Sequence, residues 1–241
     1  MTTRTAFPVP HAVAQPAKHC SAHSCGRPAH LSAPLPALLR EGPLRLTERD
    51  GLVLLHGHPA ALRLGHYAAA AHALAGEPVL FLDGAQAFDP VLLGRIARDS
   101  GLAARALAAI HVSRAFTGHQ MVRLVTDRLA SALTTYRNGI VVLAGPLNPF
   151  CDGGVPAGEA RRLAQVLFAA LRQLTGQGCR LLCLCPPPAP GSAGESLLET
   201  LRLRADRVVT LAETTGGLLL REKREGLPRF WRIPRETWDR L

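Results

Sequence analysis

The sequence predicts an α/β fold, with a mostly parallel central sheet flanked by helices and an antiparallel hairpin at the C-terminal end. Three observations carry this. Short, continuously apolar runs such as Leu52-Val53-Leu54-Leu55 and Ile140-Val141-Val142-Leu143 read as strands buried on both faces. Ala- and Leu-rich stretches of helical length separate successive runs. Near the end, Thr215-Gly216-Gly217 joins two strand-like runs with no helix between them.

The elements follow in order. A strand at 52–55 leads to a helix at 64–75, with Gly76 as its C-terminal stop. A second strand spans 78–82 and ends at Asp83-Gly84. Asp89 caps a helix at 89–100 that has Pro90 in its first position. A third strand at 110–113 precedes Thr117, which caps a long helix at 119–133. A fourth strand at 139–144, a Gly/Pro loop at 145–158 and a helix at 159–175 come next. A fifth strand at 180–185 is followed by a Pro/Gly/Ser loop and a helix at 195–203. Strands at 208–213 and 218–223 form the hairpin, and 230–233 adds one more strand. Residues 1–45 lack periodicity and are expected to be a disordered or loosely attached extension, leaving 46–241 as the folded domain.

The chain of 241 residues carries a formal net charge of +10, with a pI near 10.3. That balance favours an acidic partner, nucleic acid first and an anionic surface second. All but two of the basic residues are arginine, the exceptions being Lys18 and Lys223, so genomic base composition is a competing source of the charge. No apolar run approaches the ~18 residues that span a bilayer, and the N-terminus lacks a signal-peptide core, so no membrane association and a cytoplasmic location are expected. The six cysteines are scattered, and Cys183 and Cys185 share one face of a strand, as small buried hydrophobes would.

Metal chemistry finds little support. Cys20, His23 and Cys25, with His11, His19 and His30 nearby, could supply N and S ligands, but their spacing fits no familiar finger. A solvated tail is the preferred reading. His56 and His58 lie in one loop without a carboxylate, and His66 and His72 are six apart rather than four. No metal is expected.

The first strand, a glycine and a helix form the context of a phosphate-binding loop, G-x-x-x-x-G-K-[ST]. Here that segment reads Gly57-His58-Pro59-Ala60-Ala61-Leu62-Arg63-Leu64. Only the first glycine is present. Leu62 stands for the second, Arg63 for the lysine and Leu64 for the Ser/Thr that would hold magnesium. Gly57, Ala61, Leu62 and Arg63 therefore mark a vestigial phosphate loop.

Residues 83–121 extend the pattern. Asp83-Gly84-Ala85-Gln86-Ala87-Phe88, then Pro90, then Ser113-Arg114-Ala115-Phe116-Thr117-Gly118-His119-Gln120-Met121 resemble the RecA/RadA recombinase ATPase core, nearest its archaeal and eukaryotic branch. The resemblance covers about 46–235 in element order and implies a RecA-like P-loop NTPase fold. Carried over position by position, the water-activating Glu falls at Ala85, the magnesium-side carboxylate at Ala144 and the γ-phosphate sensor near Pro186. Phosphoryl transfer rests on positioned charge and metal, so no catalytic residue and no cofactor are expected. ATP bound weakly through Arg63, without turnover, is the alternative.

The resemblance also implies DNA contacts in two loops, 148–162 and 186–199. Arg161 and Arg162 end the first, while the second is nearly uncharged and has no aromatic residue. Basic residues gather instead at Arg202, Arg204, Arg207, Arg221, Lys223, Arg224, Arg229, Arg232 and Arg235, near Phe230, Trp231 and Trp238. Arg161, Arg162, Arg221, Lys223, Arg224, Arg229 and Arg232 are the DNA-binding candidates. The expected protein is a non-catalytic RecA/RadA-like paralogue, an accessory or scaffold in recombination or repair. It would bind DNA, a recombinase or RecA-like partner, or both, as a homo- or hetero-oligomer. The alternatives are a slow or partner-completed ATPase, and a regulatory scaffold like ImuA, SulA or KaiC without DNA contact.

Overall fold

The computed structural model of the protein describes residues 42–98, 103–137, 139–151, 155–223 and 228–239. Its strands are β1 (Leu52–His56), β2 (Val79–Asp83), β3 (Ile110–Arg114), β4 (Ile140–Ala144), β5 (Arg180–Cys185), β6 (Arg207–Thr214), β7 (Gly217–Lys223) and β8 (Arg229–Pro234). They form a single sheet in the order β3-β2-β4-β5-β1-β6-β7-β8. Pairing is parallel from β3 through β6 and antiparallel across β6, β7 and β8. The helices are α1 (Ala60–Leu74), α2 (Pro90–Arg98), α3 (Ala103–Ala108), α4 (Gly118–Arg123), α5 (Leu129–Thr135), α6 (Ala157–Gly176), α7 (Ala193–Arg204) and α8 (Arg235–Trp238).

Because side chains alternate along a strand, each apolar run serves two cores. Val53, Leu55, Phe81 and Val142 pack under α1, α2 and α3 on one face. Leu54, Leu80, Leu82, Val141 and Cys183 pack under α4 to α7 on the other. The chain leaves β1 and β2 toward the β3 edge, and leaves β3, β4 and β5 toward the β6 side. That reversal makes two switch points, one between β1 and β5 and one between β2 and β4. In open α/β sheets such points, at the carboxyl ends of the strands, are where ligands bind.

Several element ends differ from expectation. Helix α1 begins at Ala60, not 64, because Ala60 and Ala61 are strong helix formers that follow the fixed φ of Pro59. Its other end is a Schellman closure: Gly76 has φ +86, its N–H reaches the Ala73 carbonyl at 3.0 Å, and the Glu77 N–H reaches that of His72 at 3.0 Å. Asp89 caps α2 by accepting from the Val91 and Leu92 N–H groups at 2.9 Å each. The long helix expected after Thr117 is interrupted by a π turn at Leu124–Arg128, where Thr126 Oγ1 donates to the Val122 carbonyl at 3.0 Å. Gly65 brings α1 close to β5, since a Cβ there would collide with the Leu184 side chain.

A segment ahead of β1 braces the amino ends of the strands. Leu44 and Leu46 are buried in the first core at 1% and 2% exposure, so the packed unit takes in residues from 44 onward. Asp50, Arg207 and Glu222 form a buried ion triad beneath them: Arg207 Nη1 meets Asp50 Oδ1 at 2.7 Å and Arg207 Nε meets Glu222 Oε1 at 2.7 Å. Arg207 Nη2 also donates to the Pro43 carbonyl at 3.0 Å. Burial alone would raise the Asp50 carboxyl pKa, but hydrogen bonds from Arg207 and Thr47 outweigh it and hold the group below its usual value. His72 joins the same brace, accepting from the Leu46 N–H at 3.3 Å and donating from Nδ1 to Glu77 at 2.6 Å.

Candidate functional site

At the β1–β5 switch point, the loop between strand and helix is short and closed on itself. Gly57 has φ +99, and a Cβ there would lie 2.7 Å from the Leu211 carbonyl oxygen, so only glycine fits. A phosphate cradle needs the first N–H groups of the helix to point at an anion. Here they are engaged: His58 Nδ1 accepts from Ala60 at 3.1 Å, the His58 carbonyl from Ala61 at 3.0 Å, and the Pro59 carbonyl from Leu62 at 3.2 Å. Pro59 has no N–H to offer. Around this turn, His58 Nε2 lies 3.6 Å from Glu213, which pairs with Arg235 at 2.9 Å. Leu62 packs against the core. The exposed Arg63 guanidinium stands 6.0 Å from the Trp238 ring centroid. Gly57, Ala61, Leu62 and Arg63 are thus close in space, with Ala61, Leu62 and Arg63 inside the first two turns of α1 rather than in a loop.

The β2–β4 switch point is filled by small residues. Ala85 and Ala144 hold the positions where the resemblance places carboxylates, and the Gly84 and Ala85 N–H groups both reach the Ala144 carbonyl, at 2.8 and 3.1 Å. A Cβ on Gly84 would lie 2.6 Å from the Gly145 carbonyl oxygen. Asp83 is fully buried, and its two oxygens accept from the Ala87 and Phe88 N–H groups at 3.0 Å each. Arg114 Nε approaches it at 3.5 Å. This carboxylate holds the turn that follows β2. Gln86 in that turn takes a left-handed φ of +56, held by donation from Nε2 to the Ala115 carbonyl at 3.0 Å.

His66 links the two regions. Its Nδ1 donates to the Leu62 carbonyl at 2.8 Å, and its Nε2 accepts from the Asp89 N–H at 2.9 Å, which requires the neutral ring. Burial pushes its pKa below the usual histidine value. Its ring packs against Phe81 and Phe88. Among the described residues, no group of three or more His, Cys, Asp or Glu is arranged to hold a metal. Cys183 and Cys185 are buried in the second core, and burial raises the Cys183 thiol to about 12.

The basic candidates separate into distinct places. Arg161 and Arg162 are exposed on the second turn of α6, beyond the carboxyl end of β4. Arg221, Lys223 and Arg232 lie on β7 and β8, away from them. Arg224 and the Cys20, His23 and Cys25 cluster lie outside the described residues. Arg207, expected in the basic region, is 8% exposed and bound in the ion triad. Arg202 pairs with Glu199 at 2.8 Å.

Strand alternation then decides which residues meet. Leu218, Leu220, Glu222 and Ile233 are buried on the α1–α3 side of the sheet. Leu219, Arg221 and Lys223 on β7 therefore face the other way, and register places Phe230 opposite Arg221 and Arg232 opposite Leu219. Arg229 sits opposite Glu222 on the other side. Among the described residues, the outward set has three cations, one aromatic ring, one leucine and no carboxylate. Phe230 is 55% exposed, with the Arg221 guanidinium 6.0 Å from its ring centroid. Trp231 and Trp238 pack against the core instead. Charge density in the sequence pointed to this region, but the strand register was needed to sort Arg221, Lys223 and Arg232 from Arg229 and to single out Phe230.

No protein-family model matches the chain, and no curated protein matches it. No helix among the described residues is long and apolar enough to cross a membrane.

Proposed function

We propose that the chain is a non-catalytic, RecA-like scaffold that serves DNA recombination or repair and binds nucleic acid through the open face of β7 and β8. The observation that carries this reading is the outward set Arg221, Lys223, Phe230 and Arg232, which has no carboxylate in it among the described residues. Cations on a flat sheet face follow a phosphate backbone, and an exposed ring beside them stacks on an unpaired base. The closed turn at Gly57 and the alanines at 85 and 144 support a role without nucleotide hydrolysis. The strand–turn–helix start and the residues at 113–121 support the RecA-like assignment. In this reading the protein docks on a recombinase or another RecA-like subunit and contributes a DNA-binding surface in place of an ATPase.

The test is fluorescence anisotropy of a labelled oligonucleotide across a salt series, with the intact chain and with Arg221→Ala/Lys223→Ala/Arg232→Ala. Binding that weakens with salt and is largely lost in the triple variant supports the proposal. Absence of binding at low salt, or an unaffected triple variant, removes it.

A further inference from the structure

The amino-end side of the sheet carries a second basic surface, which adjoins Lys223 of β7 beside Arg49 and Asp206. A cleft of about 620 Å3 opens between the last turns of α6 and α7 and the residues leading into β1. Its floor is apolar: Phe168, Leu171 and Leu201 are 3%, 1% and 1% exposed. Its rim carries Arg49, Arg172 and Arg204, all exposed, and among the described residues none of the three has an ion-pair partner. Arg204 lies over the Phe168 ring at 5.2 Å. The carboxylate in the cleft, Asp206, is engaged, accepting from the Leu52 N–H at 2.6 Å. Beside Arg204, Leu203 is 78% exposed, the most exposed of the large apolar side chains on the described surface.

Helix dipoles favour a cation at the carboxyl end of α7, which accounts for Arg204. They do not account for an exposed leucine between two arginines and above an apolar floor. We propose that this cleft receives an acidic, leucine-bearing helical segment of a partner protein. Such a segment would pack its apolar side on Leu203 and set its carboxylates against the three arginines. The chain's own amino-terminal residues do not suit the role. Residues 1–40 contain Arg4, Lys18, Arg27 and Arg40 and no acidic residue, so the arginine rim would repel them. Nucleic acid would use the rim and leave the exposed Leu203 without a contact. This proposal rests on the scaffold reading, because it names the chemistry of the docking partner.

The experiment uses the full chain and a fluorescein-labelled helical peptide with leucines at i and i+4 and glutamates on its remaining faces. One control peptide has lysine in place of glutamate, and a second has alanine in place of leucine. The protein variants are Leu203→Asp, Leu203→Ala and Arg172→Glu/Arg204→Glu, each checked for the parental circular dichroism spectrum. Saturable binding of the acidic peptide is expected, weakened about tenfold or more by Leu203→Asp and by the double reversal, as for oppositely charged interfaces. Leu203→Ala gives a smaller loss in the same direction, and neither control peptide binds comparably.

Failure of the acidic peptide to bind overturns the proposal, as does equal binding of the alanine peptide. Competition by an oligonucleotide that is indifferent to Leu203→Asp also overturns it and assigns the cleft to nucleic acid. The open-face variant Arg221→Ala/Lys223→Ala/Arg232→Ala separates the two readings. If it loses DNA and keeps the peptide, both sites stand. DNA binding without peptide binding removes the cleft alone, and peptide binding without DNA binding removes the nucleic-acid face alone.

Discussion

Strands β2, β4, β5 and β1 lie between two layers of helix, whereas β7 and β8 have helix on one side only. In the covered centre both faces of every strand are apolar, so polar chemistry is confined to the strand ends. Those ends are consumed by their own backbone: Asp83 holds the turn after β2, and His58 and Pro59 take the first N–H groups of α1. In the half-covered end, alternate residues face solvent along the whole strand, and three of those positions on β7 and β8 carry a cation. The same alternation therefore gives a sealed scaffold in one region and a displayed surface in the other. The contrast predicts that substitutions in the first region act on stability, while those in the second act on binding.

The largest effect is expected where the two regions are tied together, at Arg207 under the residues that precede β1. Replacing it with methionine removes the guanidinium that Asp50 and Glu222 share in the buried triad and should cost about 3–5 kcal/mol in urea unfolding. A loss below about 1 kcal/mol would mean that solvent reaches the triad and that the brace is loose. The same brace contains titrating groups. Burial lowers the pKa of His72, as it does for His66, so the folded state resists protonation that the unfolded chain accepts from pH 6.5 downward. Stability is then fully present above pH 6.5 and falls as the pH drops below it. The lowered carboxyl of Asp50 adds a further loss at still lower pH, as it takes up a proton near and below 3.8. His66→Gln and His72→Gln should flatten the first part of the curve, measured as urea midpoints between pH 7.5 and 5. A profile unchanged in both variants would place the acid sensitivity elsewhere.

On the half-covered end, binding should respond while stability does not. Each phosphate contact removed from Arg221, Lys223 or Arg232 should lower the slope of log affinity against log salt by about one for a duplex. Phe230→Ala should cost single strands about 1–3 kcal/mol of affinity and leave a duplex nearly unaffected, because only an unpaired base can stack. Equal losses for the two substrates would show that the ring merely buttresses Arg221, and parental affinity for both would take it out of the interface. The unfolding midpoint should stay at its parental value throughout, since these side chains are exposed.

Much of this division is legible in the sequence, and the part that is not has a physical cause. The buried runs at Leu52, Ile140 and Arg180 are strands because short runs rich in Val, Ile and Leu suit a doubly covered sheet, and Asp89-Pro90 and Thr117 mark helix starts by local bonding alone. Local rules do not reach the pairing of Arg207 with Asp50 across 157 residues, nor the strand register that puts Arg229 opposite Glu222. Arg207 therefore reads as surface charge in the sequence and is buried in the fold. The start of α1 is a smaller case of the same kind. A phosphate loop was expected to run on to 64, but alanines after a proline favour the helix at once, and that early start closes the cradle.

Arg63 is where the smallest effect is expected, and where the contrast between the regions is most open to challenge. Its guanidinium is exposed and near the Trp238 ring, a contact of about 0.5–1 kcal/mol at an exposed site. Arg63→Ala should therefore lower stability by no more than that, and calorimetry with ATP and magnesium should show no heat of binding for either protein. An anion can reach the helix end only if the Ala60 and Ala61 N–H groups leave His58, which means unwinding the first turn of α1. Micromolar ATP binding that is abolished by Arg63→Ala would show that this turn opens, and the covered centre would then hold a ligand site after all. It would also predict a measurable spectroscopic signature. Trp238 lies beside Arg63 in the same structure, so its fluorescence should change on ATP addition in the parent and not in the variant.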